Sequence, residues 1–149
     1  MTNNAEQNRL AIQLAEESLR RSGFENISSN DQQGTYPHTR ITAKRRGKSY
    51  FIGVTSRQEI GADAEYNRSF NIVTTAADMK IALSMAKVRK EIPAFVTIAL
   101  NRQEGSFAAF FGTLASVDNK RSIPMLPRDR IQYEELVPKQ SDPRIVSLG

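Results

Sequence analysis

The sequence predicts an α/β protein with a mixed central sheet of about five strands flanked by helices. Three observations support this prediction. They are an amphipathic helical pattern near the N-terminus, three short strand-like segments around a basic "RRG" turn, and a second helical pattern that leads into a long apolar segment. Three hairpin-linked strands followed by a helical crossover require antiparallel and parallel pairing in one sheet.

Length and composition predict a single domain at 1–138 and a loosely held tail at 139–149. The chain has 149 residues, of which 39% are hydrophobic, and buries about two-thirds of its unfolded surface on folding. Its apolar stretches are shorter than the roughly 20 residues that span a bilayer, and the start, "MTNNAEQNR", is unlike a secretory signal. Cysteine is absent, which excludes disulfides and a thiol nucleophile and fits a reducing cytoplasm, where we expect the protein.

The first helix is predicted from Ala5 to Arg21 or Ser22, where apolar residues recur near helical spacing between charged residues. Gly23 follows at the expected stop position, and two arginines at the end suit the negative C-terminal dipole. The next segment, "FENISSNDQQG", predicts a short, weak strand with a turn.

The segment around "RRG" predicts a β-hairpin. Thr39 to Lys44 alternates, with Ile41 and Ala43 on one side, and the glycine of "RRG" supplies the positive backbone angle of a tight turn. The following "SYFIGV" is the strongest strand signal in the chain. Tyr50 and Phe51 are predicted as partly buried packing residues, and the alternative is one exposed aromatic that stacks on a base.

Residues 58–73 predict a polar loop, after which Thr75 to Asp78 predict a variant capping box. The box should open a helix to about Glu91 that Pro93 terminates. "AFVTIAL" predicts a strand covered on both faces, and "SFAAFFGTLASV" predicts a strand in hairpin relation to it. The tail predicts a short strand at 123–125 and a helical turn near 128–136. The apolar side of the second helix is predicted to hold Met79, Ala82, Leu83, Ala86 and Val88.

The element order, the "KRRGKSYFIGV" hairpin and the helix before "IPAFVTIAL" resemble the PD-(D/E)XK nuclease superfamily, which has the restriction-endonuclease-like fold. The core of that family is a helix, a three-strand meander, a helix and a strand, and the resemblance covers roughly Ala5 to Leu100. In the family, an acid near the start of the second strand and another on the third bind a divalent cation that activates water. A lysine two residues after the second acid stabilises the developing charge.

The positions of this chain that match the family's motif lack its catalytic groups. The acid–apolar–lysine triplet falls on Gly53-Val54-Thr55, and the first acid falls around His38 to Arg40, where there is no carboxylate. Some members add a glutamate on the first helix, where Glu16 and Glu17 stand, but either glutamate alone builds no metal site. Glycine has no ligating side chain, and threonine offers only a neutral oxygen to magnesium. The resemblance therefore implies an inactive nuclease-like module without a metal or another cofactor.

A relocated active site is the alternative enzyme hypothesis. Glu59, Asp63 and Glu65 follow the third strand, and Asp78 opens the second helix. Asp63 or Glu65 together with Asp78 would bind Mg²⁺ or Mn²⁺ in a metal-dependent nuclease. Lys80 would then supply the positively charged side chain that the family's lysine provides. The other interpretation is an acidic surface loop and an ordinary helix cap.

Basic residues are concentrated around the hairpin. The formal net charge is +5, and residues 38–57 hold six basic groups and no acidic group. Such a block either binds the phosphates of nucleic acid or is a solvated hairpin that keeps a sheet edge unpaired. The candidate nucleic-acid-binding residues are Arg40, Lys44, Arg45, Arg46, Lys48 and Arg57.

A third hypothesis is a protein-interaction or assembly subunit with an acidic protein partner or a second copy of the chain. Phe107 and Phe111 lie on one face of the last apolar strand and Phe110 on the other, so they are either core residues or a homodimer surface. His38 stands without a serine or aspartate motif around it and is predicted as a loop histidine without a catalytic role. No membrane partner is expected.

Overall fold

The computed structural model describes residues 4–31, 36–58, 69–73, 75–124 and 133–146. Within them the chain is an α+β protein whose six-stranded mixed sheet is flanked by three helices. The helices are α1 (Asn4–Arg21), α2 (Ala76–Arg89) and α3 (Pro143–Val146). The strands are β1 (Glu25–Asp31), β2 (Thr39–Arg45), β3 (Lys48–Gln58), β4 (Ser69–Asn71), β5 (Ile92–Asn101), β6 (Ser106–Thr113), β7 (Ser122–Pro124) and β8 (Glu134–Ser141).

The large sheet has the strand order β1-β2-β3-β5-β6-β8, and β4 pairs with β7 in a separate two-stranded sheet. Strands β1, β2 and β3 form an antiparallel meander, and α2 connects β3 to its parallel neighbour β5. The mixed sheet predicted from the hairpins and the crossover is therefore confirmed. Strand β8, antiparallel to β6, is the sixth strand, one more than the sequence predicted.

Helix α1 covers one face of the sheet and confirms the predicted helix. Leu10, Leu14 and Leu19 recur on its buried side and join a core cluster that includes Ile52 of β3. The helix ends at Arg21, and Gly23 follows with a φ of 91°, a left-handed conformation that glycine adopts without strain. The first turns of α1 lie beside the end of β3, where Gln7 donates a hydrogen bond to Ser56.

Helix α2 covers the other face of the sheet. The Thr75 hydroxyl accepts a hydrogen bond from the Asp78 backbone N–H at 3.1 Å, as the capping pattern predicted. Met79 and Ala86 are buried in the second core cluster, but Val88 is 80% exposed, so its predicted burial is wrong. Val88 lies nine residues after Met79, which is half a turn around a helix with 3.6 residues per turn.

The end of the chain differs most from the prediction. Residues 134–136 lie in β8 rather than in a helical turn, and residues 139–141 continue that strand. Ile145 of α3 is fully buried in the core, so the part of the tail that is described is held against the sheet. The polar text "EELVPKQS", with a proline inside, is typical of an edge strand, which explains why its periodicity is weak.

An ion-pair cluster, which we call the C-terminal clip, fastens this segment to α1. Arg144 donates two hydrogen bonds to the Glu17 carboxylate, at 3.0 and 2.7 Å, and two to Asp142. The hydrogen bonds from Arg144 hold the pKa of the Asp142 carboxyl below its usual range. Glu17, which the family resemblance placed near a metal site, is thus occupied in the clip.

Acid is expected to weaken the C-terminal clip. A carboxyl whose pKa is lowered by folding adds stability above its unfolded pKa, and this stability is lost as the pH falls through the folded value. Asp142→Asn should therefore lower the free energy of unfolding at pH 7 by about 1 kcal/mol, and with it the melting temperature. The difference from wild type should shrink below about pH 4. Melting curves of both proteins from neutral to acid pH test this, and a difference that stays constant contradicts it.

Candidate functional site

A cavity opens where β2 and β3 separate. Pairing between these strands runs from Arg45↔Lys48 to Ile41↔Ile52, and beyond Ile52 the described part of β3 pairs only with β5. The cavity has a volume of about 140 Å³ and lies at the carboxyl end of β3, beside the first turns of α1. It is lined by Asn8, Ala11, Ile12, Tyr36, Thr39, Val54, Thr55, Ser56, Asn71 and Ile72.

Gly53, to which the family resemblance assigns the second acid position, is covered by the ring of Tyr36. A Cβ atom on Gly53 would lie 2.6 Å from Tyr36 Cγ and 2.8 Å from Cδ1, closer than such atoms approach in proteins. The Tyr36 hydroxyl donates a hydrogen bond to the Phe51 carbonyl oxygen at 2.9 Å, which fixes the ring in place. Burial raises the pKa of this hydroxyl, so it stays protonated and uncharged at neutral pH. A carboxylate at position 53 therefore has no room.

The lining of the cavity is neutral among the residues described. Thr55, to which the family resemblance assigns the lysine position, is half-buried and lies beside Thr97 of β5 in the parallel register. Ser56 Oγ accepts a hydrogen bond from Gln7 Nε2 of α1 at 3.1 Å. The Thr39 hydroxyl is buried and has no hydrogen-bond partner among the described residues. The cavity thus offers hydroxyl and amide groups to a ligand rather than charges.

The acids of the alternative enzyme hypothesis are not assembled by the described residues. Asp63 and Glu65 lie outside the described residues, as does Glu59. Asp78 lies in the first turn of α2, where its backbone is engaged by the helix cap, and Lys80 lies just after that turn. Across the described ranges, no group of three or more acidic or histidine residues is placed to hold a metal ion.

Arg45, which was predicted to contact nucleic acid, instead contacts other residues of the protein. Its guanidinium lies 4.1 Å from the centre of the Phe24 ring, donates to the Ser22 carbonyl and pairs with Glu134 of β8. Only 13% of its side chain is exposed. The residue therefore joins β2, β8 and the segment after α1, and its guanidinium is engaged by contacts within the protein.

The remaining basic residues of the hairpin block fall into two places. Arg40 stacks over the Phe51 ring at 5.2 Å and donates to the Pro37 carbonyl at 3.0 Å, at the end of the sheet where the cavity lies. Arg57 lies near the same end, in the last part of β3. The exposed hairpin is at the opposite end, because seven residues of extended strand between Lys48 and Thr55 span about 23 Å. The six predicted residues therefore do not form one patch.

At the hairpin end, the C-terminus of α2 adds cations that the sequence analysis did not group with the hairpin. The parallel register Tyr50↔Ile92 brings the start of β5, and hence the last turn of α2, beside the start of β3. Glu91 at this point is paired with Arg89. We call this surface the basic end; its exposed members are Lys44, Arg46, Lys48, Lys87 and Lys90. The nearest acidic residue in the strand register is Glu25, which lies opposite Lys44 in β1.

The aromatic residues considered as contact surfaces are core residues. Tyr50 is 8% exposed and Phe51 is fully buried, which confirms the prediction that both pack in the interior. The three phenylalanines of β6, at 107, 110 and 111, are likewise buried, two facing α1 and one facing α2. An interface at these phenylalanines is therefore ruled out in the folded chain.

Comparison with known proteins finds no matching family model, no matching curated protein and no matching solved structure. The relation to the PD-(D/E)XK superfamily therefore stays a prediction from the sequence. Among the described helices, none combines the length and the apolar character that crossing a membrane requires.

Proposed function

We propose that this protein is a nuclease-like module that binds nucleic acid without cleaving it, and that the basic end is the surface that holds the phosphate backbone. One observation carries the proposal: the hairpin and the last turn of α2 place five exposed cations at one end of the sheet. Phosphate contacts of this kind add affinity with little sequence preference. The absence of cysteine fits a working place in the reducing cytoplasm.

The packing at Gly53 supports the non-cleaving half of the proposal. The Tyr36 ring occupies the space that a carboxylate would need at the second acid position. Thr55 replaces the lysine with a neutral hydroxyl, which cannot supply the positive charge that the family's mechanism uses. The element order, a meander followed by a helix and a parallel strand, fits the family that the hairpin resembles.

Substitutions at the basic end are expected to weaken nucleic-acid binding in a salt-dependent way. Arg46→Ala combined with Lys48→Ala should lower affinity for duplex DNA about tenfold or more at low salt. It should also reduce the salt slope by roughly 0.9 for each phosphate that the variant no longer neutralises. Lys87→Ala combined with Lys90→Ala should do the same. Fluorescence anisotropy with labelled duplexes across a salt series measures both quantities.

A matched control separates this surface from net charge alone. Lys120→Ala combined with Lys139→Ala removes the same two charges from exposed positions outside the hairpin and α2, and should leave the salt slope unchanged. Equal losses of affinity in the control and in the variants of the basic end would contradict the proposed surface. Incubation of the protein with plasmid DNA and Mg²⁺ or Mn²⁺ tests the non-cleaving half. Cleavage that disappears in Asp78→Ala would instead establish the relocated active site.

A further inference from the structure

We propose that the outer face of α2 lies in the major groove of B-form DNA when the basic end binds nucleic acid. The inference rests on the proposed function and names its substrate class, which is duplex DNA rather than RNA or a single strand. Lys87 in the last turn of α2 and Lys90 at its C-cap both belong to the basic end. The groove contact and the phosphate contact therefore form one continuous surface.

The face of α2 that points away from the sheet is uncharged and exposed. Its residues recur at helical spacing and form a stripe that we call the outer stripe: Ala77, Ile81, Ser84 and Val88. Val88 is 80% exposed and Ile81 is 42% exposed, although both are branched apolar residues. Covering apolar side chains of this size is favourable because it removes them from water. The outer stripe therefore offers contact surface to a ligand.

Cations border the outer stripe. Lys80 and Lys87 are exposed and lie seven residues apart, so they project from the same side of the stripe. Arg89 lies on the other side, where it pairs with Glu91. Asp78 is half-buried in the first turn, so the basic part of the helix runs from Lys80 to the C-terminus. An uncharged stripe between cations complements a groove with uncharged base edges and phosphates along its borders.

The helical shape of this surface decides between the kinds of nucleic acid. The major groove of B-form DNA is about 12 Å wide and admits an α-helix, whereas the major groove of A-form RNA is too narrow and deep. Proteins that bind single strands stack the bases on exposed aromatic rings. At the basic end, Phe24 and Tyr50 are buried instead. The surface therefore fits a DNA duplex.

The small size of the outer stripe favours DNA over a protein partner. Two large apolar side chains, Ile81 and Val88, make up its apolar part, whereas a stable protein interface takes roughly 800 Å² from each partner. In the major groove a single apolar side chain has a matching contact, the C5-methyl group of thymine. Ser84 lies between the two and has a hydroxyl that donates and accepts hydrogen bonds, as base edges do.

Fluorescence anisotropy with an A·T-rich DNA duplex, an RNA duplex of the same sequence and a DNA single strand tests the substrate class. The wild-type protein should bind the DNA duplex about tenfold or more tighter than the RNA duplex. Ser84→Glu places a carboxylate within the outer stripe and should abolish this preference. Gln13→Glu makes the same change at an exposed position of α1 and should leave the preference unchanged. Melting temperatures of both variants report whether they fold.

The thymine methyl group tests the groove contact itself. Replacing thymine by uracil in the DNA duplex should weaken wild-type binding about fourfold for each methyl group that an apolar side chain of α2 covers. This effect should be smaller in Val88→Ala, which has lost part of the contact. It should be as large as in wild type in Val146→Ala, because Val146 is an exposed valine of α3.

Equal affinity for the DNA and RNA duplexes would overturn the inference, and so would a Ser84→Glu protein that binds DNA like wild type. An equal effect of uracil in wild type and Val88→Ala would also overturn it. So would a dimer, detected by sedimentation, that Ser84→Glu dissociates, because a second copy of the chain would then cover the outer stripe. In each of these cases, weaker binding by Arg46→Ala with Lys48→Ala would leave the proposed function standing. Failure to bind any nucleic acid at low salt would overturn both proposals.

Discussion

Gly53→Asp is expected to destabilise the protein by more than about 4 kcal/mol, a large share of the roughly 5–15 kcal/mol that typically holds a domain folded. The new Cβ would lie 2.6 Å from the Tyr36 ring, and overpacking of this kind costs about 1–3 kcal/mol. The carboxylate would also have to be desolvated at a buried position, at a cost of several kcal/mol. An acid at this position, where the resemblance would place one, should therefore unfold much of the protein rather than create a metal site.

Urea denaturation of a small set of variants separates these two costs. Gly53→Ala adds only the Cβ and should cost about 1–3 kcal/mol. Thr55→Asp places the same carboxylate two residues later on the same strand face, where the side chain is half-exposed beside the cavity, and should cost much less. Combining Gly53→Ala with Tyr36→Ala should cost less than the sum of the single changes, because the ring that clashes is gone. A Gly53→Asp protein as stable as wild type would contradict this account of Gly53.

The explanation of Gly53 was beyond the reach of the sequence because it is a contact between distant residues. Alternation and the "RRG" turn are local signals, and they correctly predicted the hairpin and the strand that contains Gly53. The comparison with the nuclease triplet stays a prediction from the resemblance. Nothing local indicates that Tyr36, 17 residues earlier in the chain, lies on Gly53. The sequence therefore predicted the strand that contains Gly53 but not the reason why this position is a glycine.

The same difference between local features, which the sequence predicts, and long-range contacts, which it does not, holds elsewhere in the molecule. The helix cap at Thr75 has a local hydrogen bond and was predicted, whereas β8 is an edge strand whose weak alternation gave no signal. Lys87 and Lys90 meet the hairpin only because β5 lies parallel to β3, a pairing that brings together residues about 40 positions apart. Burial also changes the role that the sequence predicted for one residue. Arg45 has the same sequence context as Arg46, but Phe24 and Glu134, which enclose it, come from other parts of the chain.

Arg45→Ala is expected to lower the free energy of unfolding by about 2–3 kcal/mol, whereas Arg46→Ala should change it by less than about 0.5 kcal/mol. Most of the Arg45 effect should come from the buried stem and from the guanidinium on the Phe24 ring, an interaction worth about 0.5–2 kcal/mol. The pair with Glu134 should add less, because 44% of the Glu134 side chain is exposed to solvent. Chemical denaturation of the two single variants measures the difference.

Arg45→Met tests whether packing or charge dominates at this position. Methionine retains an apolar stem against Phe24 and Phe111 but loses the cation, so its cost should lie between those of wild type and Arg45→Ala. DNA affinity measured where all variants are folded should then fall for Arg46→Ala and stay near wild type for Arg45→Met, because of these two arginines only Arg46 is exposed and belongs to the basic end. The reverse pattern, with unchanged stability and abolished binding in Arg45→Met, would show that the Arg45 guanidinium leaves Phe24 to bind a ligand. The interior role assigned to Arg45 would then be wrong.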